Sequence, residues 1–178
     1  MPMKAPMTST LLFWVIFKLE YRLLNKKMAE KYSESSAKFG KFLIRIFSKL
    51  QAPIFLMSKG KIWNKWPGGF PVMVVKTIGA KTNKVRNIPL IHVHKEGNPI
   101  LVASLGGMPK NPSWYYNVKA NPKVEVMTRN SHGTFIARQV SKEEKSTLWP
   151  IICETYPDYQ TYQNNTDRDI PVFICDPA

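Results

Sequence analysis

Apolar residues change their spacing near residue 70 of the 178-residue chain, dividing it into a helical part and a strand-rich part. Between Ser36 and Gln51, the residues Phe39, Phe42, Leu43, Ile46, Phe47 and Leu50 recur at i, i+3, i+4 and i+7, which predicts an amphipathic helix. Pro53 is expected to end it, since proline has no N–H to give to the helical ladder. An earlier helix is predicted from Ser9 or Thr10, as N-cap, to about Lys27. From Pro71 the apolar runs are short and rich in β-branched residues, predicting strands at 72–78, 85–94, 99–104, 124–129, 134–140 and 170–175. Ser141 and Glu144 have the spacing of a capping box, opening a helix that carries Leu148, Trp149, Ile151 and Ile152. The stretch "SLGGMPKNPSWYYNVKANP" at 104–122 reads as a long loop. Hairpin-linked strands with one late helix predict a mostly antiparallel barrel or sandwich rather than a doubly wound parallel sheet. Two units are expected: a basic helical arm over residues 1–65, and a barrel over 66–178.

Charge sharpens this division. Residues 1–65 hold thirteen Lys and Arg against three Asp and Glu, residues 66–140 ten against two, and residues 141–178 three against seven. A basic arm and a basic middle imply anionic partners. In the helix predicted over 36–51, Lys38, Lys41, Arg45 and Lys49 form a stripe beside the apolar one. Such a helix either lies on an anionic membrane surface or packs on its own domain with a solvated charged face. The run "LLFWVIF" is too short to span a bilayer and "KLEYR" replaces a cleavage site, so neither a transmembrane helix nor a signal peptide is expected. Cys153 and Cys175 form no CxxC pair, which fits a reducing cytoplasm.

Three segments carry candidate chemistry. The turn Lys81, Thr82, Asn83, Lys84, with Arg86 beyond it, groups hydroxyl, ammonium and guanidinium donors suited to a phosphate or carboxylate. The 104–122 loop adds Ser104, Lys110, Trp114, Tyr115 and Asn117, a mixture suited to a flat anionic ligand. Tyr156, Tyr159 and Tyr162 recur every three residues, either as core packing or as phenols lining a cavity for a planar substrate. His92 and His94 share a strand face without a third ligand nearby, so no metal is expected. GxSxG, HExxH and P-loop patterns are absent, and no nucleic-acid reading module is present, so nucleic acid is not expected as a partner.

Together, "TIGAKTNKVRNIPL", "ASLGGMPKNPSWYYNVKANPKVEV", the helix from "EE" to "WP", "YPDYQTYQ" and "TDRDIPVFICDP" resemble, in order and spacing, the deazaflavin-dependent nitroreductases of the split β-barrel flavin and deazaflavin oxidoreductases. The resemblance runs from about Pro71 to Pro177. It implies a mainly β fold with flanking helices, an FMN-binding-like split β-barrel preceded by amphipathic N-terminal helices. It also implies that reduced 8-hydroxy-5-deazaflavin, coenzyme F-420, passes a hydride to a quinone, nitroaromatic or enone acceptor. By analogy Lys81, Thr82 and Arg86 face the cofactor's phosphate and polyglutamate tail. Asn87, Pro89, Leu90, Ile91, Ala103, Ser104, Leu105, Trp114, Tyr115 and Asn117 shape its channel. Ser104 lies near the reactive ring, and Tyr156, Tyr159 and Tyr162 wall the acceptor pocket as further catalytic candidates. The arm resembles the family's membrane-associating extension, which implies a cytoplasmic protein peripheral at the inner face of the cell membrane. Three departures stand out: Ala80 and Leu105 replace usual cations, and Ile91 a frequent tyrosine. They keep two alternatives open, FMN or another flavin in the same barrel, and a non-catalytic lipid-binding member.

Overall fold

The computed structural model describes residues 50–66 and 68–178. The helix expected from Ser9 or Thr10 to Lys27, and nearly all of that over 36–51, lie outside the described residues. The described chain opens with a helical segment at 50–57 that runs through Pro53 instead of ending there. Tertiary packing decides the matter: the Pro53 ring faces solvent, while Ala52 and Phe55 bury against Val74, with Leu56 and Met127 alongside. Residues 50–65, assigned above to the arm, are therefore docked on the sheet. Gln51 donates from Nε2 to the Trp63 carbonyl at 3.1 Å, and Asn64 from Nδ2 to that of Gly60 at 2.8 Å.

Seven strands follow: β1 (Val72–Ile78), β2 (Val85–Ile91), β3 (Val93–Lys95), β4 (Asn98–Val102), β5 (Lys123–Met127), β6 (His132–Gln139) and β7 (Val172–Pro177). They form one antiparallel sheet in the order β2-β1-β5-β6-β7-β4-β3. The single strand expected over 85–94 is two strands, β2 and β3, parted at His92, whose N–H still donates to the Pro71 carbonyl at 2.8 Å, the next position of the β1–β2 register. β2 and β3 are consecutive in the chain yet occupy the sheet's two edges, so the sheet curls into a half-barrel of the split-barrel type. β7 lies between β6 and β4, bonded on both sides.

Three helices flank the sheet: α1 (Ser113–Ala120), α2 (Lys142–Thr155) and α3 (Asp158–Asn164). α1 lies within the stretch expected to be a loop. Its Trp114 and Val118, four residues apart, bury with Phe173 in the barrel interior, and that burial outweighs the turn-forming composition. Prolines bracket it, the extended Pro112 at its N-cap and Pro122 just past Asn121, whose N–H closes on the Asn117 carbonyl at 2.8 Å. α2 begins at the expected capping box: Glu144 N–H donates to Ser141 Oγ at 3.2 Å, and Ser141 N–H to Glu144 Oε2 at 3.0 Å. A second core layer sits between the sheet and these last helices, built from Val93, Ile100, Val102, Leu148, Ile152, Ile170, Val172 and the three tyrosines.

Candidate cofactor-binding site

The basic turn between β1 and β2 is held by its own backbone and by α1. Gly79 N–H donates to the Lys84 carbonyl at 2.9 Å, and Asn83 N–H to that of Gly79 at 2.9 Å, with Asn83 at φ 52°. Asparagine tolerates that left-handed backbone better than most residues. Ala80 N–H then donates to Asn117 Oδ1 at 3.1 Å, and Asn121 Nδ2 to the Ile78 carbonyl at 3.3 Å. At position 80 the backbone N–H, not the side chain, thus makes the link to α1. Lys81, Thr82, Lys84 and Arg86 remain exposed around this junction. Through the Ala80 N–H, the structure therefore holds the turn that carries Lys81 and Thr82 against the helix that carries Asn117.

A second wall follows β4. Ala103 is buried, Ser104 nearly so, and the tight turn Leu105–Gly107 carries three successive positive φ values: 48°, 64° and 75°. The turn is pressed against α3, because a Cβ on Gly107 would stand 2.8 Å from the Tyr162 carbonyl oxygen and 3.1 Å from its Cα. Arg168, on the connection into β7, reaches under this wall. Its Nη2 donates to the carbonyls of Ala103 at 3.0 Å and Ser104 at 2.6 Å, its Nε to that of Met108 at 2.9 Å, and its Nη1 to Asn111 Oδ1 at 2.8 Å. Burial lowers the Arg168 pKa below the usual arginine value.

Strand alternation sorts the β2 candidates. Ile88 and Leu90 pack on the cluster holding Ala103 and Trp114, joined by Tyr115, and Arg86 shares their parity. Asn87 points to the other side, where it lines a cavity of about 290 Å³ with Lys76, Glu125 and His132. Pro89 has the same parity as Asn87 and is buried opposite Val74, on the face that Ala52 and Phe55 cover. Ile91 belongs to the tyrosine layer. Asn87 and Pro89 are thus set apart from Arg86, Leu90 and the Ser104 wall, although the resemblance implies one channel for all of them.

Tyr156 closes α2, while Tyr159 and Tyr162 lie on α3, so their period of three spans a helix break. They still converge, with ring centroids 5.1–6.2 Å apart and a Tyr156 Oη to Tyr162 Oη distance of 3.2 Å. Their exposures of 2%, 4% and 8%, and the edge contact of Tyr156 with Phe70 at 4.8 Å, put them in the packed layer behind the Ser104 turn. This is the core-packing option of the two weighed above. His92 and His94 stack at 5.0 Å, and burial together with the neighbouring imidazole lowers the His92 pKa. Among the described residues no group of three His, Cys, Asp or Glu could hold a metal ion.

Arg168 is the residue that sequence reading passed over. A signal was available: it is one of only three cations in the acidic tail, and it stands between Asp167 and Asp169 in "TDRD".

Against known proteins, residues 47–177 match the family model described as F420H(2)-dependent quinone reductase. An F420H(2)-dependent quinone reductase of Mycobacterium tuberculosis is 34% identical over 129 residues, covering 71% of this chain and 87% of that protein. Among solved structures, an F420-H2 dependent reductase is 46% identical with a TM-score of 0.57, covering 60% of this chain and 94% of that one. A second, described as a domain-swapped dimer, has the same identity and TM-score and is covered over 80% of its length.

Proposed function

Because the chain belongs to the F420H(2)-dependent quinone reductase family, we propose that it oxidises reduced coenzyme F-420 and reduces a quinone to the hydroquinone. The carrying observation is the junction of the basic turn with α1. Through Ala80 and Asn117, it brings the exposed donors Lys81, Thr82, Lys84 and Arg86 beside the connection that bears Ser104, Trp114 and Tyr115. This donor set fits the group: neighbouring cations suit a phosphate and carboxylate tail, and the aromatic connection suits a planar head. The family name specifies F-420, which leaves FMN without support.

When bound, F-420 supplies the hydride chemistry. In this reading Lys81, Thr82 and Arg86 anchor the tail, and Trp114 and Tyr115 with Leu90 set the plane in which the head is held. Ser104 offers its hydroxyl to orient a ring atom or carry the proton that accompanies hydride transfer. Tyr156, Tyr159 and Tyr162 back the acceptor side as a rigid apolar layer, their hydroxyls largely committed within it. No described helix is long and apolar enough to cross a membrane. A peripheral position at an anionic surface rests on the Lys38, Lys41, Arg45 and Lys49 stripe alone, and liposome flotation of the full chain tests it.

The test of function is titration with oxidised and reduced F-420 by tryptophan fluorescence, followed by turnover with a naphthoquinone, a nitroaromatic and an enone. Saturable binding weakened by Lys81→Ala, with turnover of the naphthoquinone, is expected. A folded protein that binds neither redox form overturns the proposal, and turnover restricted to the nitroaromatic or enone overturns the quinone assignment.

A further inference from the structure

We infer that Arg168 is a positioning residue: its guanidinium fixes the turn that presents Ser104, and so sets hydride-transfer geometry without touching either substrate. The inference rests on the reading of the Ser104 wall as part of the cofactor site, and four observations converge on it.

The fork takes its acceptors from one stretch, the carbonyls of Ala103, Ser104 and Met108 and the side chain of Asn111, at 2.6–3.0 Å. That stretch holds three successive left-handed residues, one of them Leu105, and such a backbone persists only where its surroundings over-determine it. These partners are neutral oxygens, so the cation is spent on backbone geometry and not on a carboxylate. The anchor itself is braced. Gln163 Nε2 donates to the Arg168 carbonyl at 2.9 Å, while Gln163 Oε1 accepts from Ile170 N–H at 3.0 Å and from Lys145 Nζ at 3.1 Å. A chain of bonds therefore runs from α2 through α3 to the turn. Planarity matters to it, because three donor nitrogens in one rigid plane define the relative positions of four acceptors. The single nitrogen of lysine cannot reproduce that spread.

The experiment compares wild type, Arg168→Lys, Ser104→Ala and the double variant by three readouts: steady-state oxidation of reduced F-420 with a naphthoquinone, Kd for oxidised F-420, and backbone hydrogen–deuterium exchange. Arg168→Lys is expected to lower kcat on the order of ten- to a hundred-fold, with a smaller change in KM. The Kd is expected to move less than about ten-fold, since the tail is held elsewhere. Exchange should rise across residues 104–108 and stay level in β1 and β5. The double variant should be no slower than Arg168→Lys by more than about two-fold, because the two act as one unit.

An unchanged kcat with unchanged exchange at 104–108 overturns the inference. So does a loss that simply multiplies with that of Ser104→Ala, which would make Arg168 independent of Ser104. Should Arg168→Lys fail to fold, Asn111→Ala, which removes one acceptor of the fork, is judged by the same criteria. If wild type does not turn over F-420, the functional proposal fails instead, and the exchange comparison still decides whether Arg168 holds the turn.

Discussion

Gly107→Ala is the substitution for which the structure gives the firmest magnitude. The added methyl meets backbone, the Tyr162 carbonyl oxygen at 2.8 Å and Cα at 3.1 Å, so no side-chain rotation relieves it, and φ is +75°. An alanine in the left-handed region costs about 1–2 kcal/mol, and forcing a methyl into a filled space about 1–3 kcal/mol more. The smaller entropy of the unfolded alanine chain returns about 0.4–1 kcal/mol. The net is a loss of about 1–4.5 kcal/mol, a fall in Tm of roughly 3–15 °C for a domain of this size. Gly97→Ala is the matched control, because its φ is +86° and no atom lies within 4 Å of the new methyl. It should show only the backbone component, about 1 kcal/mol after the entropy correction. Urea unfolding of wild type and both variants at equal m-value isolates the steric part by subtraction. A Gly107→Ala midpoint indistinguishable from that of Gly97→Ala would mean that α3 gives way freely, and the tight seating of the Ser104 turn would be refuted.

Further outcomes follow from the same geometry. Arg138 Nη1 and Nη2 and the Ser141 N–H hold the Glu144 carboxylate, depressing its pKa from 4.5 to about 2. Its contribution is therefore present above the unfolded pKa and lost as pH falls toward 2, so the stability gap between wild type and Glu144→Gln should close between about pH 5 and pH 2 in urea titrations. Phe55→Ala, at a fully buried position against Val74, should destabilise by about 3–5 kcal/mol. A cost under about 1 kcal/mol would mean residues 50–57 are not integral to the folded unit. Arg86→Ala should weaken F-420 binding roughly five- to fifty-fold at low salt and flatten its salt dependence, while Arg129→Ala, outside the site, should leave the dissociation constant unchanged.

Local signals were legible in the sequence and their three-dimensional use was not. A short run rich in β-branched residues located β1 to the residue, and the Ser141–Glu144 spacing gave the start of α2, because both features depend on neighbours in the chain. The break at His92 escaped notice because it serves closure: a residue pattern that suits one long strand is bent there to carry the chain from one sheet edge to the other. α1 was hidden by prolines and glycines around it, since its stability comes from Trp114 and Val118 packing on Phe173, more than fifty residues away. In the candidate site, the cations and the Ser104 connection were readable from residue type. The role of Arg168 was not, because its acceptors are backbone carbonyls, and a carbonyl looks the same at every position of a sequence.

The position of β7 constrains how the molecule is made. Val172–Pro177 supplies the strand that joins β6 to β4, so before it is synthesised the earlier strands can pair only as separate pieces, β2-β1-β5-β6 and β4-β3. Both pieces then expose an unpaired edge at the same time, β6 on one and β4 on the other, each a template for a neighbouring chain. Joining them depends on contacts between residues far apart in sequence, which are slow to form. The interval between translation of α3 and docking of β7 is therefore when this chain is most exposed to misassembly, and a lower concentration of nascent chains should raise its yield.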